Sequence, residues 1–359
     1  IGLTAVGYRA LSVSNGGNNN TAVGYNAGVA CTTGDSNVMM GVNSLLSLTT
    51  GDRNTAIGHQ ALEGVTTTDN NTALGYQAGQ NYTSGGQSVF IGRNAGGTSG
   101  SGVTAIGYFA CENTTADNTL GIGYQALQAN TSGGDNLAVG NNALDANTTG
   151  DNNTGLGRNA LGANTTANNN TAVGSGALAS CTTGGTNTAV GRLALNSITT
   201  GIYGVAVGYQ ALRDNTASRN TAVGYNALSS NTTGQYNVAV GTEALSGHTE
   251  GNYNHGIGYR TLRNVTTGGS SNAIGTRALQ DMTTGNGNNA LGYQAGEDIT
   301  TGYHNQCIGT DAGDTITTGY ENQIMGRLSN PSATDGYQQV VIGHNLTGKG
   351  NNTAFIGGT

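Results

Sequence analysis

Acid–base, nucleophilic and metal chemistry need unlike side chains converging on one point, and the residues able to supply it are sparse in this sequence. His59, His248, His255, His304 and His344 form no HxH or HxxxH pair, so they read as surface or corner residues rather than zinc ligands. Cys31, Cys111, Cys181 and Cys307 make no CxxC unit and read as small hydrophobes or free thiols. Acidic residues such as Asp35, Asp52, Asp135 and Asp151 sit among turn residues, and nothing follows the GGxGxD calcium pattern. Gly-x-Gly spacings such as Gly121-Ile122-Gly123 follow from a content of 63 Gly and carry no phosphate-loop meaning. These patterns point away from an enzyme and call for no cofactor or metal.

Tyrosine is the remaining source of chemistry, by contact rather than catalysis. One set follows a recurrent glycine, as in Tyr8, Tyr25, Tyr76, Tyr108, Tyr124, Tyr209 and Tyr225, with Arg taking that place at Arg93, Arg158, Arg192 and Arg327. A second set, Tyr203, Tyr236, Tyr253, Tyr303, Tyr320 and Tyr337, lies five or six residues before that glycine. Either set could form a ladder on which sugar rings stack, or a covering of stacked rings with the hydroxyls in water. The second set is the candidate glycan contact. Asn113-Thr114-Thr115, Asn147-Thr148-Thr149 and Asn231-Thr232-Thr233 match the N-x-[ST] acceptor pattern, which an Asn/Thr-rich repeat also produces by chance.

These residues fall into columns because the chain repeats. Taking the glycine after an aliphatic residue as an anchor gives 22 copies from Gly7 to Gly357, and 17 of the 21 intervals are 17 residues long. The residue before the anchor is Val, Ile, Leu or Met in all 22 copies. Ala stands three after it in 17 of 21, usually followed by Leu, and Gly stands ten after it in 16. The consensus is N-T-A-V-G-Y-x-A-L-x-x-x-T-T-G-x-x.

Seventeen residues is too short for a pair of packed helices, and two or more Gly per unit disfavour helix. The unit fits one rung of an all-β parallel β-solenoid or β-roll of about 22 rungs: a strand around T-A-V-G-Y, a bend, a short second strand near Thr-Thr, and a glycine turn. The aliphatic column (Val23, Ile57, Val139, Val173, Val223, Val240, Ile274 and Ile342 among its members) is expected to stack into a continuous core. The Asn four before the anchor, as in Asn54, Asn220 and Asn237, suits a ladder of amide hydrogen bonds. One face of the strand carries Thr, Val and Tyr, and the other Ala and Gly. A thin rung has one interior, so a strand that is apolar or small on both faces suggests a second layer from a symmetry mate; the alternative is that the Ala and Gly face packs against the rung's own short return strand. The period runs end to end, which makes residues 1–359 a single continuous repeat domain closing on a 14-residue rung at 343–357.

Composition limits the partners. The net charge is −7, and the 12 basic residues are scattered, which excludes a nucleic-acid footprint. No apolar run approaches the roughly 20 residues of a membrane span, so membrane insertion is not expected. The chain begins inside the repeat and without Met, as a piece of something longer would.

The pattern [NS]-x-A-[VI]-G-x-x-A resembles the head repeat of trimeric autotransporter adhesins, a left-handed parallel β-roll whose usual repeat is 14 residues. The longer form, as in NTAVGYNALSSNTTG (220–234) and GTDAGDTITTGYENQIMG (309–326), resembles the repetitive shafts of bacteriophage tail fibres, which often end in a self-cleaving intramolecular chaperone. VVIGHNLTGKGNNTAFIGGT (340–359) looks like the last rungs before such a chaperone. The resemblance implies a parallel homotrimer, open to end-to-end stacking, about 100 Å long at ~4.8 Å per rung. It implies an extracellular shaft of a viral tail fibre or surface appendage that positions a receptor-binding tip. The alternative is an adhesin whose Tyr columns bind a cell-surface glycan.

Overall fold

The computed structural model describes residues 2–357. Contacts within the chain cluster into two units, Ile1–Thr183 and Gly184–Thr359. Among the described residues, each unit has eleven strands of three residues joined by turns and bends, and no helix. Consecutive strands within a unit pair in parallel at the repeat spacing. Thr55, Ala56 and Ile57 lie beside Thr72, Ala73 and Leu74 in the first unit, and Thr221, Ala222 and Val223 beside Val238, Ala239 and Val240 in the second. Shorter intervals leave the ladder intact, since Val89 still pairs with Thr104 and Val340 with Ala354. Each unit is a parallel β-solenoid with one strand per rung.

The anchor glycine is required twice over. Gly58 has φ +140, and a Cβ there would lie 2.2 Å from the Gly75 carbonyl oxygen of the next rung. No L-residue side chain fits that position. Four residues on, leucines adopt left-handed backbone, as in Leu45 (φ 46) and Leu62 (φ 50), with side chains fully buried. The left-handed conformation costs about 1–2 kcal/mol, and burying a leucine contributes about 1.5–3 kcal/mol, so burial carries the strain.

The core differs from the expected one. The middle residue points inward in every strand except the first and the last: Ala22, Ala56, Ala138, Ala222 and Ala239 are fully buried. The aliphatic column points out. Val23, Val139, Val173, Val240 and Ile342 are half-buried, and Ile57, Val223 and Ile274 are exposed. A three-residue strand sends its first and third side chains to one face and its second to the other. A 17-residue rung encloses little volume, and the leucine column already fills much of it. Alanine fits inside and valine does not.

The short second strand near Thr-Thr does not form as a general feature, although isolated bridges join Tyr320 to Tyr337 and Asn330 to Thr347. A different ladder takes its place. The Thr49 carbonyl accepts from the N–H groups of Thr32, Thr33 and Gly34 at 3.0, 3.2 and 3.3 Å, and from Thr32 Oγ1 at 3.1 Å. The hydroxyl thus bonds the next rung directly, as Thr49 Oγ1 does to the Thr66 carbonyl at 3.0 Å.

The asparagine ladder forms as expected, inside the rung. Asn54 is fully buried. Its Nδ2 donates to the Thr68 carbonyl at 2.8 Å, and its Oδ1 accepts the Asn71 N–H at 3.0 Å. Asn220 Oδ1 likewise accepts the Asn237 N–H at 2.9 Å. These bonds satisfy polar groups that the enclosed backbone would otherwise leave unpaired, a cost of about 1–3 kcal/mol each.

Candidate interaction surface

The outward face of the strands runs through every rung of each unit. No described strand contains Asp, Glu, Lys or Arg. The third strand position is aliphatic throughout, yet Leu74 is 48% exposed in the first unit and Leu291 51% in the second. The first position is Thr, Val or Leu in the first unit. In the second it is Thr or Val as far as Val238, then His255, Asn272, Asn289, Gln306 and Gln323. A strand about 10 Å long, repeated over eleven rungs of ~4.8 Å, makes an uncharged stripe of about 500 Å² per unit. Only the third position makes it apolar along its whole length, so its apolar part falls within the patches of about 300–600 Å² or less found on ordinary monomers.

Tyrosines flank this stripe, and the two sets behave alike. Of the first set, Tyr8 stacks on Tyr25 with centroids 5.2 Å apart, and Tyr209 on Tyr225 at 5.5 Å. Arg93 continues the column between Tyr76 and Tyr108, its guanidinium carbon 5.6 and 5.5 Å from their ring centroids. The second set resolves into two separate columns. Tyr203, Tyr236 and Tyr253 occupy a left-handed position, with Arg219 sandwiched 5.9 Å from Tyr203 and 5.5 Å from Tyr236. Tyr236 stacks on Tyr253 at 5.0 Å. Tyr303, Tyr320 and Tyr337 stand one residue earlier in the rung and stack at 4.9 and 5.0 Å. Stacking covers ring faces with neighbouring rings and turns edges and hydroxyls outward. A sugar packs against a ring face, so these columns offer hydrogen bonds more readily than platforms.

The chain matches no protein-family model and no curated protein. Its function has to be read from these surfaces and from what the interior withholds.

The titratable groups serve the ladder. Asn18, Asp35 and Asp52 donate their backbone N–H groups to the side-chain Oδ1 of Asp35, Asp52 and Asp69, at 2.6, 2.7 and 2.7 Å. Asp151 Oδ1 accepts the Gly134 N–H at 2.8 Å. Each turn carboxylate thereby holds the preceding rung. All four cysteines are buried, and burial pushes Cys111 and Cys307 up to about 12, far from the thiolate a nucleophile needs. No cluster of three or more His, Cys, Asp or Glu able to hold a metal occurs among the described residues. No helix among them is long and apolar enough to cross a membrane.

His59, His255, His304 and His344 are exposed, but His248 corrects the surface reading of the histidines. It is fully buried, with Nδ1 3.0 Å from Asn231 Oδ1 and Nε2 3.1 Å from Asn254 Nδ2. That geometry suits a neutral imidazole, which donates from Nδ1 and accepts at Nε2. Burial holds its pKa down at about 4.

Asn231 and His248 belong to a second interior column that sequence reasoning missed. It includes Asn130, Asn147 and Asn164 in the first unit, where Asn147 Nδ2 donates to Asn130 Oδ1 at 2.9 Å and Asn164 Nδ2 to Asn147 Oδ1 at 2.8 Å. Asn147 and Asn231, which match the glycan acceptor pattern, are fully buried, whereas Asn113 is exposed. The signal was present: these residues share the slot of Leu48 and Val65, seven after the anchor, which are buried as well.

Proposed function

We propose that this chain is a structural shaft segment that assembles with two further copies in parallel, outward strand faces meeting, and carries a receptor-binding part of a viral tail fibre or surface appendage outside the cell. The observation that carries the reading is the uncharged aliphatic stripe that a lone chain leaves in water. Charge is admitted beside it, at Arg93, Arg219 and Glu321, and kept off it. A face with a regular rung spacing and no charge finds the same spacing and the same lack of charge on another copy. Two such faces from one unit would bury on the order of 1,000 Å² together, enough for a specific interface. The number three and the appendage context come from the resemblance to trimeric heads and tail-fibre shafts.

Light scattering on the purified chain tests this. A mass three times 35.9 kDa is expected. A monomer at micromolar concentration would remove the shaft reading.

A further inference from the structure

A uniform repeat stacks well but holds alignment poorly. If outward faces of neighbouring copies meet, sliding one copy by a single rung replaces each contact with a nearly identical one, so most of the stripe carries no axial alignment. The second unit breaks the uniformity at one place. The first strand position runs Thr188, Val205, Thr221, Val238, then His255, Asn272, Asn289, Gln306, Gln323, then Val340. All five polar residues are exposed, and the aliphatic column beside them continues unbroken.

Part of the block is laddered within the chain. His255 Nδ1 lies 2.7 Å from Asn272 Oδ1, and Asn272 Nδ2 donates to Asn289 Oδ1 at 2.8 Å. An amide has two donors and two acceptor lone pairs, so Asn272 retains one of each for a partner across the face. The surface is also indented here. Asn272, Asn289 and Gln306, with Ile274, Leu291 and Ile308, line a groove of about 170 Å³. Gln306 and Gln323 also border an adjoining polar hollow of about 390 Å³.

We propose that the block from His255 to Gln323 fixes the axial alignment of associated copies, each block seating against the same block of its neighbour. The proposal rests on the self-association argued above. A one-rung slip would press the His255 imidazole of one copy against Val238 of another and a Gln323 amide against Val340, burying polar groups without partners. One polar position in an otherwise apolar interface is enough to set alignment in coiled coils, and the same physics applies to a stack of rungs.

Site-specific photo-crosslinking reads alignment at rung resolution. A diazirine-bearing leucine analogue at position 291, in unlabelled chains refolded with ¹⁵N-labelled chains, reports by mass spectrometry which rung of the neighbour lies opposite. Native chains should give interchain products centred on Leu291 and confined between Ile274 and Ile308. A variant with the block made uniform (His255→Thr, Asn272→Thr, Asn289→Thr, Gln306→Val, Gln323→Val) should keep the native mass but spread its products several rungs either way. A second variant, His255→Val with Val340→Gln, moves the block one rung along. Refolded with native chains carrying the probe, it should shift the centre of the products to Ile308. Native-mass assemblies of both variants whose products stay centred on Leu291 would overturn the proposal. If the uniform variant does not fold, the two-substitution variant decides alone. A native chain that scatters as a monomer removes both the alignment and the self-association beneath it.

Discussion

Phe90 occupies the space that leucine fills in the regular rungs: a Cβ on Gly79 would lie 2.6 Å from its ring, and one on Gly96 2.3 Å. The same exchange recurs at Met39 and Gly28, where the Cβ would meet the sulfur at 2.1 Å. At these places a large residue beside Gly fills the interior that Ala and Leu fill elsewhere. Phe90→Ala should cost about 3–5 kcal/mol through the cavity it leaves. Adding Gly79→Leu should recover part of that loss, because Gly79 (φ 60) already has the backbone of Leu62. Gly79→Leu alone should destabilise. Urea melts of the three variants, with hydrogen exchange around residues 79–96, check the order.

The buried His248 makes the second unit acid-sensitive. Its folded pKa of about 4 lies below the ordinary histidine value of 6.5, so the folded state favours the neutral ring. Stability is complete above pH 6.5 and is lost as pH falls towards 4, by about 3 kcal/mol in all. His248→Asn would extend the column formed by Asn231 and should flatten this dependence. Thermal melts of both proteins at pH 7, 5 and 4 test it; equal acid losses would refute the assignment.

Glycosylation should discriminate between acceptor sites that look alike in sequence. Expressed through a eukaryotic secretory pathway, the folded chain should carry glycan at the exposed Asn113 and none at the buried Asn147 and Asn231. Glycopeptide mass spectrometry gives occupancy at each. Modification of Asn147 would mean that its rung is not formed when the transferase acts.

A charge on the outward stripe should leave the rung intact and abolish assembly. Ile274 and Leu291 are 48% and 51% exposed, so Ile274→Lys with Leu291→Arg meets no clash within the chain. Buried against another copy, either cation would be unpaired, at a cost of about 3–5 kcal/mol. Unchanged circular dichroism with a fall in mass to 35.9 kDa is expected.

The tyrosine stacks should be worth little to a sugar and something to the fold. Tyr320 stacks against Tyr303 and Tyr337, at 4.9 and 5.0 Å. Tyr320→Ser should lower stability by about 1–3 kcal/mol, counting about 0.5–1.5 kcal/mol for each stacked pair. Glycan-array signals that disappear with this substitution, while the melting temperature holds, would favour the adhesin reading instead.

Periodicity alone determined the architecture. A Gly after an aliphatic every 17 residues places a strand in each rung, forces parallel neighbours at that spacing, and puts asparagines such as Asn54 and Asn71 one above the other; that the rung holds no regular second strand came from the structure. These are consequences of translation along a stack, and a sequence displays translation directly. Which face of T-A-V turns inward was not legible, because alternation defines two faces and assigns neither. The tertiary structure decided it through volume: the rung closes so tightly that Ala56 fits inside and Ile57 is left outside. The same closure sent His248 into the core. A slot number fixes the column a residue joins, but only the path of the backbone around the rung fixes whether that column looks inward or out.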